Sequence, residues 1–275
     1  MRMDNRPIGV FDSGLGGLTV VRQLLKMLPG EDIVYFGDTG RVPYGTRSPE
    51  TIEKYARQDC RFLLSKGVKL IIAACGTVSS VAPHVLRGLP VPAMGVVEPT
   101  AGAAASASRT GRIGILGTAA TIRSASFQKR ILELRPDAEV TPVACPLFVP
   151  LVENGWTEPD NEATLATVRR YLAPLEEKHV DTLVLGCTHY PLLAPILSTV
   201  VGPGVTLVDS GEACAALCAA RLERDGALNQ SKRAGMCHFY VTDLPDDFTH
   251  VARMFLGRDV DGDTERVDVE ALPEA

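Results

Sequence analysis

Two cysteines, Cys75 and Cys187, follow short apolar runs in matching local settings. Each run has the length of a buried strand, and each cysteine is followed within two residues by a threonine. The end of a buried strand is the edge at which open α/β sheets place reactive groups. Two equivalent thiols, one in each half of the chain, predict a reaction with two equivalent sides, such as moving a proton from one face of a carbon atom to the other.

The residues beside each cysteine favour thiol chemistry. A strand that leads through a loop into a helix offers backbone N–H groups and the positive end of the helix dipole, which lower a thiol pKa. The hydroxyls of Thr77 and Thr188 are placed to bind a substrate carboxylate beside each sulfur. His189 is placed to protonate or orient a reacting group. Either cysteine alone would be interpreted as a buried structural residue, so the catalytic hypothesis depends on the matched pair.

Two loops after the first two predicted strands carry further candidates. The glycine-rich segment Asp12–Gly17 opens a helix, where the backbone approaches a ligand closely and the helix N-terminus favours an anion. It lacks both the G-x-G-x-x-G pattern and the P-loop lysine. Asp12 by itself is better interpreted as a helix cap than as a functional residue. The segment Tyr35–Gly45 is either a pinned loop or a source of backbone amides for a substrate, and Glu153 alone indicates no function.

Composition excludes several classes of protein. The 275 residues, 45% of them hydrophobic, suffice for one large or two modest domains. A net charge of −5 without a Lys/Arg cluster argues against nucleic-acid and anionic-membrane partners. No apolar run approaches the roughly 20 residues of a membrane helix, and the N-terminus lacks the apolar core of a signal peptide. We therefore predict a cytoplasmic protein.

The seven cysteines do not indicate a disulfide framework, because their number is odd, their spacing is scattered and no C-x-x-C pair occurs. Cys214 and Cys218 lie four residues apart in an alanine-rich helical segment. No second pair completes a zinc site there, so we expect both to pack in the core. The sequence predicts no metal site.

Short apolar runs alternate with amphipathic helical patterns, which predicts an α/β fold with mostly parallel sheets and helices on both faces. A helix is predicted to begin at Ser48-Pro49 and to end before Gly67. The predicted strands are Ile8–Phe11, Ile33–Phe36, Leu70–Ala74, Ala93–Val96, Ile113–Leu116, Val140–Val143, Thr182–Leu185, Thr206–Val208 and His238–Val241.

A weak internal repeat indicates two similar domains. The first strands of the two halves start 113 − 8 = 105 residues apart, and the two cysteines are 187 − 75 = 112 residues apart. We predict a first domain of residues 1–97 plus about 208–258 and a second of residues 98–207. The acidic tail, residues 259–275, is poor in apolar side chains and is predicted to be frayed.

Taken together, five motifs resemble those of the glutamate racemases, a cofactor-independent family within the aspartate/glutamate racemase superfamily. The resemblance runs in order from about residue 7 to about residue 225. The motifs are Gly9–Gly17, Tyr35–Thr39, Arg41–Gly45, Ala74–Thr77 and Leu185–Leu193.

The resemblance implies two α/β domains that face each other across a cleft, with one cysteine from each. It implies interconversion of L- and D-glutamate by two-base proton transfer without pyridoxal phosphate or metal, in a homodimer that supplies D-glutamate for peptidoglycan. Cys75 would deprotonate the D-isomer with support from Asp12. Cys187 would deprotonate the L-isomer with support from Glu153 and His189. The implied glutamate-binding residues are Asp12, Ser13, Pro43, Tyr44, Gly45, Gly76, Thr77, Thr188 and His189.

One position departs from the family, which usually has asparagine where this chain has Gly76. Glycine keeps the backbone N–H but lacks the side-chain amide, and a lost hydrogen bond to a charged ligand is worth about 1.5–3 kcal/mol. Substrate affinity is therefore affected more than the thiol chemistry. We expect a neighbouring side chain such as Val78 or Ser79 to fill the space.

Three other functions remain open from the sequence. An aspartate racemase would be separated from a glutamate racemase by comparing the kinetics of the two amino acids. A non-catalytic protein that binds acidic amino acids or a protein partner is favoured only by Gly76 and is opposed by both cysteines. A hydrolase with a single catalytic cysteine would leave the second thiol without a role.

Overall fold

Two separate parallel sheets form the framework of the computed structural model, which describes residues 4–231, 233–243, 248–260 and 264–271. Every strand pairing in the described residues is parallel, as crossover connections through helices require. The first sheet has the order β10-β9-β2-β1-β3-β4, and the second has the order β6-β5-β7-β8. The strands are β1 Ile8–Asp12, β2 Ile33–Gly37, β3 Leu70–Ala73, β4 Ala93–Gly95, β5 Arg112–Gly117, β6 Glu139–Ala144, β7 Thr182–Leu185, β8 Thr206–Asp209, β9 Cys237–Val241 and β10 Thr264–Arg266.

Helices connect the strands, and the predicted α/β class is confirmed. The helix predicted after Ser48 begins there, with the Ser48 hydroxyl accepting a hydrogen bond from the backbone N–H of Thr51, and Gly67 follows its end at a φ of 69°. The helices are α1 Leu18–Met27, α2 Pro49–Ser65, α3 Gly76–Val81, α4 Pro83–Arg87, α5 Val97–Ala107, α6 Ala119–Ser124, α7 Ser126–Leu134, α8 Phe148–Glu153, α9 Glu162–Glu177, α10 Ala194–Val201, α11 Ser210–Arg224 and α12 Phe248–Leu256. Short 3₁₀ turns are Thr39–Arg41, Tyr44–Thr46 and Tyr190–Leu193.

Alternate residues of the central strands enter different hydrophobic cores, because successive side chains of a strand point to opposite faces. Val10 of β1 and Leu183 of β7 belong to one continuous core that draws on both sheets. Phe11 and Val184, the next residues along, belong to two separate cores. Cys214 and Cys218 are both fully buried in the shared core, as predicted. None of the helices in the described part of the chain is both long and apolar enough to cross a bilayer.

The two sheets repeat one topology, which confirms the predicted internal repeat. The order β2-β1-β3-β4 in the first sheet matches β6-β5-β7-β8 in the second. β1 and β5 each lie between neighbours whose connections leave in opposite directions, and in open α/β sheets the carboxyl end at such a position is where ligand sites form. After β8 the chain returns through α11, which packs on α1, and β9 joins the first sheet beside β2. The exact domain bounds stay a prediction.

The expectation of a frayed tail is wrong for residues 264–271. β10 pairs in parallel with β9, and the N–H of Val267 donates to the carbonyl of Val241 at 2.8 Å. Val269 is 3% exposed and lies in a core with Phe62. The prediction rested on the acidic composition of the tail and overlooked Val267 and Val269, which alternate with polar residues. That alternation is typical of an edge segment with one buried side. Residues 261–263 and 272–275, also part of that expectation, lie outside the described residues.

Candidate active site

Cys75 lies two residues after the end of β3, at the N-cap of α3, and its sulfur is 3.5 Å from the Ser13 hydroxyl. Asp12 ends the neighbouring strand β1 and is 1% exposed. Its carboxylate accepts hydrogen bonds from the backbone N–H groups of Gly17 at 2.9 Å and Gly14 at 3.3 Å. Asp12 therefore fixes the glycine-rich loop that carries Ser13 to the first thiol.

The surroundings of Cys75 favour the protonated thiol. Burial, together with the carboxylate of Asp12, raises the pKa of Cys75 to about 12. The sequence-based expectation of a lowered thiol pKa is wrong at this position. Helix α3 has only six residues, and its weak dipole does not offset desolvation beside an acidic group.

Cys187 has a different set of partners. Its sulfur lies 3.8 Å from Nδ1 of His189, and Nε2 of that imidazole lies 3.1 Å from Oε1 of Glu153, the last residue of α8. Burial lowers the pKa of His189, but the neighbouring Cys187 and Glu153 outweigh it and raise that pKa to about 10. A cationic imidazole thus faces the second sulfur at neutral pH.

Glycines allow the two halves to meet at the thiols. A Cβ atom at Gly16 would lie 2.4 Å from the Thr188 hydroxyl and 2.6 Å from the His189 ring. A Cβ at Gly76 would lie 2.5 Å from the carbonyl oxygen of Gly186. The loops that carry the two cysteines therefore touch through their backbones, and larger residues at either glycine would push the halves apart.

The expectation that Val78 or Ser79 fills the space beside Gly76 is wrong. The three atoms nearest to a Cβ at Gly76 belong to the backbones of Gly186 and Cys187. The Ser79 hydroxyl donates instead to the carbonyl of Ala73 at 2.9 Å, and Val78 is buried in the core. The space beside Gly76 is occupied by the opposite half of the molecule.

The two threonines have distinct roles in joining the halves. The Thr77 hydroxyl lies 3.2 Å from that of Thr118, across the boundary between the two sheets. The Thr188 hydroxyl lies 3.5 Å from Nδ1 of His189. The backbone carbonyl of Thr188 accepts a hydrogen bond from the Thr19 hydroxyl at 3.0 Å. That the hydroxyls of Thr77 and Thr188 bind a substrate carboxylate stays a prediction.

Thr118 is a candidate that the sequence reasoning missed. It follows β5 and caps α6, and its hydroxyl is also 3.0 Å from that of Thr121. The internal repeat contained the signal, because Thr118 lies 118 − 13 = 105 residues after Ser13, which is the offset between β1 and β5. The two hydroxyls occupy equivalent positions in the two halves.

The segment Pro43–Gly45 divides into parts with different surroundings. The Pro43 ring is exposed, and Tyr44 is 1% exposed with its hydroxyl bonded to Asp38. The Tyr44 side chain therefore points into the first half. A Cβ at Gly45 would lie 3.2 Å from Cβ of Thr118, so the Gly45 backbone is the part that reaches the second half.

These contacts bring most of the predicted site residues together. The residues gathered around the two thiols are Asp12, Ser13, Cys75, Gly76, Thr77, Glu153, Cys187, Thr188 and His189. No cluster of three or more His, Cys, Asp or Glu side chains suited to a metal ion occurs within the described ranges.

The arrangement has counterparts in known proteins. The sequence profile of the Asp/Glu/Hydantoin racemase family matches residues 8–218. The chain belongs to this family. Because the matched residues begin at β1 and extend into α11, they include both cysteines, strands β1–β4 of the first sheet and all four strands of the second.

Full-length relatives agree with the family assignment. The racemase is 47% identical to glutamate racemase of Geobacter metallireducens over 98% of this chain and 99% of the relative. The crystal structure of the Bacillus anthracis isoform RacE1 superposes with a TM-score of 0.91 at 35% identity, covering 96% of this chain and 98% of that one. Glutamate racemase of Francisella tularensis in complex with D-glutamate gives 0.90 at 35% identity, covering 98% and 100%. The chain is an amino-acid racemase.

Proposed function

We propose that this racemase interconverts L- and D-glutamate by proton transfer between two cysteines, Cys75 and Cys187. The observation that carries the proposal is the meeting of two thiols from separate halves, one beside an acid and the other beside a cationic imidazole. Glutamate as the substrate is supported by the names of the relatives and by the D-glutamate bound to the Francisella tularensis enzyme.

The proposed reaction balances without any external oxidant or reductant. In the L-to-D direction, the Cys187 thiolate removes the α-proton, and the electron pair of the C–H bond remains on the substrate carbon. The Cys75 thiol then delivers its proton to the opposite face, and its S–H electron pair remains as a thiolate. The two cysteines exchange roles in the reverse direction.

The carbanion is stabilised in this proposal by hydrogen bonds rather than by a cofactor. Four hydroxyls lie at the carboxyl ends of central strands, and preorganised donors stabilise charge that develops in a transition state. The backbone N–H groups at these strand ends add to the set. The hydroxyls belong to Ser13, Thr77, Thr118 and Thr188.

Entry of glutamate in this proposal involves separation of the two halves. Cys75 is 4% exposed and Cys187 is 7% exposed. A substrate that needs both sulfurs must reach side chains that the described residues leave largely buried. We therefore infer that the contact between Gly76 and Gly186 breaks on entry of the substrate and forms again around it.

In the cell, we propose that the enzyme acts in the cytoplasm and supplies D-glutamate for peptidoglycan synthesis. The support is the similarity to full-length glutamate racemases. The residue types at the thiols suffice for the reaction, so neither pyridoxal phosphate nor a metal ion is part of the proposal.

Incubation with L-glutamate in deuterium oxide tests the reaction. We expect loss of optical rotation and α-deuteration to proceed together, with D-glutamate carrying deuterium from its first appearance. Activity that persists after dialysis against a chelator supports independence of cofactors. Faster racemisation of aspartate than of glutamate, or activity rescued only by zinc or pyridoxal phosphate, would contradict the proposal.

A further inference from the structure

Behind the loop that follows β2 lies a buried polar cluster that the proposed proton transfer does not use. We call it the Asp38 network, and it consists of Asp38, Arg41, Tyr44 and Asp59. The side chains of Asp38 and Asp59 are fully buried, and that of Arg41 is 13% exposed. Asp59 lies within α2, and the other three members belong to the loop.

The two carboxylates bracket one guanidinium group and one phenol. Nε of Arg41 lies 2.6 Å from Oδ2 of Asp38, and Nη2 lies 3.2 Å from Oδ1 of Asp59. The Tyr44 hydroxyl donates to Asp38 and lies 3.2 Å from Oδ2 of Asp59. The Thr242 hydroxyl donates to the remaining oxygen of Asp38 at 2.9 Å.

Two buried carboxylates around a single cation are an unfavourable way to stabilise a fold. Desolvation of an ion pair commonly exceeds its Coulombic gain, and a set of apolar side chains of similar volume is often as stable. Burial and the nearby Asp38 both raise the pKa of Asp59, which reflects this strain on the charged form. What such a network supplies is a single backbone arrangement, because each partner must keep its hydrogen bonds.

The network holds the backbone of the loop at two points. Arg41 ends one 3₁₀ turn and Tyr44 begins the next, and both side chains are tied to the same two carboxylates. Gly45 follows Tyr44 directly and packs against Thr118 of the second half. The backbone N–H of Asp38 also donates to the carbonyl of Asp12 at 3.0 Å. The network therefore fixes the Tyr44–Gly45 backbone relative to the loop beside Cys75.

We propose that Asp38, Arg41, Tyr44 and Asp59 are positioning residues, which hold the Tyr44–Gly45 backbone at the cleft so that it binds the substrate. Their side chains act from inside the first half and do not touch the substrate. This proposal rests on the proposed function, because it names the part of that site that sets substrate affinity.

Two conservative variants test the proposal in the full-length protein. Tyr44→Phe removes only the hydroxyl that joins the second turn to the carboxylates. We expect the KM for glutamate to rise about tenfold, while kcat changes by less than about threefold. Asp59→Asn removes one charge and should raise KM by about threefold. Amide hydrogen exchange measured by mass spectrometry should become faster at residues 44–46 in both variants.

The double variant Tyr44→Phe/Asp59→Asn separates a shared network from two independent effects. If the network acts as one unit, KM in the double variant should be about that of Tyr44→Phe alone. Glu31→Gln is the matched control, because Glu31 forms an equally buried ion pair with Lys69, 2.6 Å between Oε2 and Nζ, ahead of β2 at the opposite end of the strand. It should lower the melting temperature and leave KM unchanged.

A KM within about twofold of the original in both folded single variants would overturn the proposal. So would a rise in KM for Glu31→Gln equal to that for Tyr44→Phe, since general destabilisation would then suffice. If Tyr44→Phe does not fold, Asp59→Asn decides by the same measurements. If the unaltered protein does not racemise glutamate, the proposed function fails, but faster exchange at residues 44–46 in Asp59→Asn than in Glu31→Gln would still support positioning.

Discussion

The two cysteines follow equivalent strands of repeated sheets, yet their electrostatic surroundings are opposite. Cys75 is paired with Ser13 beside the buried carboxylate of Asp12, and its pKa is raised to about 12 by burial and by that carboxylate. Cys187 faces His189, which is cationic at neutral pH. The repeat in the backbone therefore does not extend to the charges around the sulfurs.

This difference bears on how each thiol takes part in the proposed reaction. The acid beside Cys75 favours retention of its proton, whereas Cys187 has the imidazole of His189 beside it. In the proposed mechanism, Cys187 deprotonates L-glutamate and Cys75 reprotonates the carbanion. A two-base reaction needs one thiolate and one thiol, because two thiolates or two thiols would leave one step without its partner.

Removing either sulfur is expected to have the largest effect on the racemisation rate. Cys75→Ala and Cys187→Ala should each lower racemisation by about a thousandfold or more, because each removes a base in one direction and an acid in the other. The remaining thiol should still exchange the α-proton of the isomer that it faces. In deuterium oxide, Cys75→Ala should deuterate L-glutamate without inverting it, and Cys187→Ala should do so with D-glutamate. Near-normal racemisation by either variant would disprove the two-base mechanism.

Substituting Gly76 disturbs the backbone contact with Gly186, which holds the surroundings of the two cysteines together. A side chain there meets the carbonyl of Gly186, so Gly76→Asn should lower kcat/KM by about tenfold to a hundredfold, the effect expected of a displacement near 1 Å. Gly76→Ala should also lower it, since Cβ alone makes the close contact. Gly88→Asn is the control, because among the described residues no atom outside the adjoining backbone lies within 4 Å of a Cβ at Gly88. A fall in KM for Gly76→Asn would show that the backbone yields and that the amide binds the substrate.

Glu153→Gln tests the charge on the Cys187 side alone. Glu153 is one of the groups that raise the pKa of His189 to about 10, so its neutralisation should lower that pKa. The alkaline limb of kcat/KM should move to lower pH, with a loss of about tenfold or less at pH 8. The raised pKa also stabilises the fold fully below about pH 6.5, and this contribution is lost as pH rises towards about 10. An unchanged pH profile would remove Glu153 from the proposed mechanism.

The smallest effect is expected at Thr118, which pairs the two halves beside Thr77. Thr118→Val should raise KM by about threefold through loss of the hydroxyl, and loss of the α6 cap should destabilise the protein by about 1 kcal/mol. Thr118→Ser keeps the hydroxyl and should restore KM. Thr167→Val, on α9, removes a hydroxyl that donates to the Ala163 carbonyl of its own helix and serves as the control. Equal KM values for Thr118→Val and Thr118→Ser would show that the hydroxyl does not act on the substrate.

Local patterns in the sequence predicted most of the framework. Each of the nine predicted strands has a counterpart in the structure, and the helix between Ser48 and Gly67 begins and ends as its capping residues indicated. Apolar periodicity and capping act over a few neighbouring residues, so the sequence displays them directly. β10 was missed because three residues at the edge of a sheet carry too little of that pattern.

The amino-acid sequence by itself determined the α/β alternation, the internal repeat and the placement of each cysteine at the end of a strand. The tertiary structure decided what faces each sulfur and what faces Gly76 and Tyr44. Some of those partners are distant in the sequence: Gly186 lies 186 − 76 = 110 residues from Gly76. A pKa depends on burial and on charges from such distant segments, so opposite thiol environments arise from matching motifs only when the two halves are folded against each other.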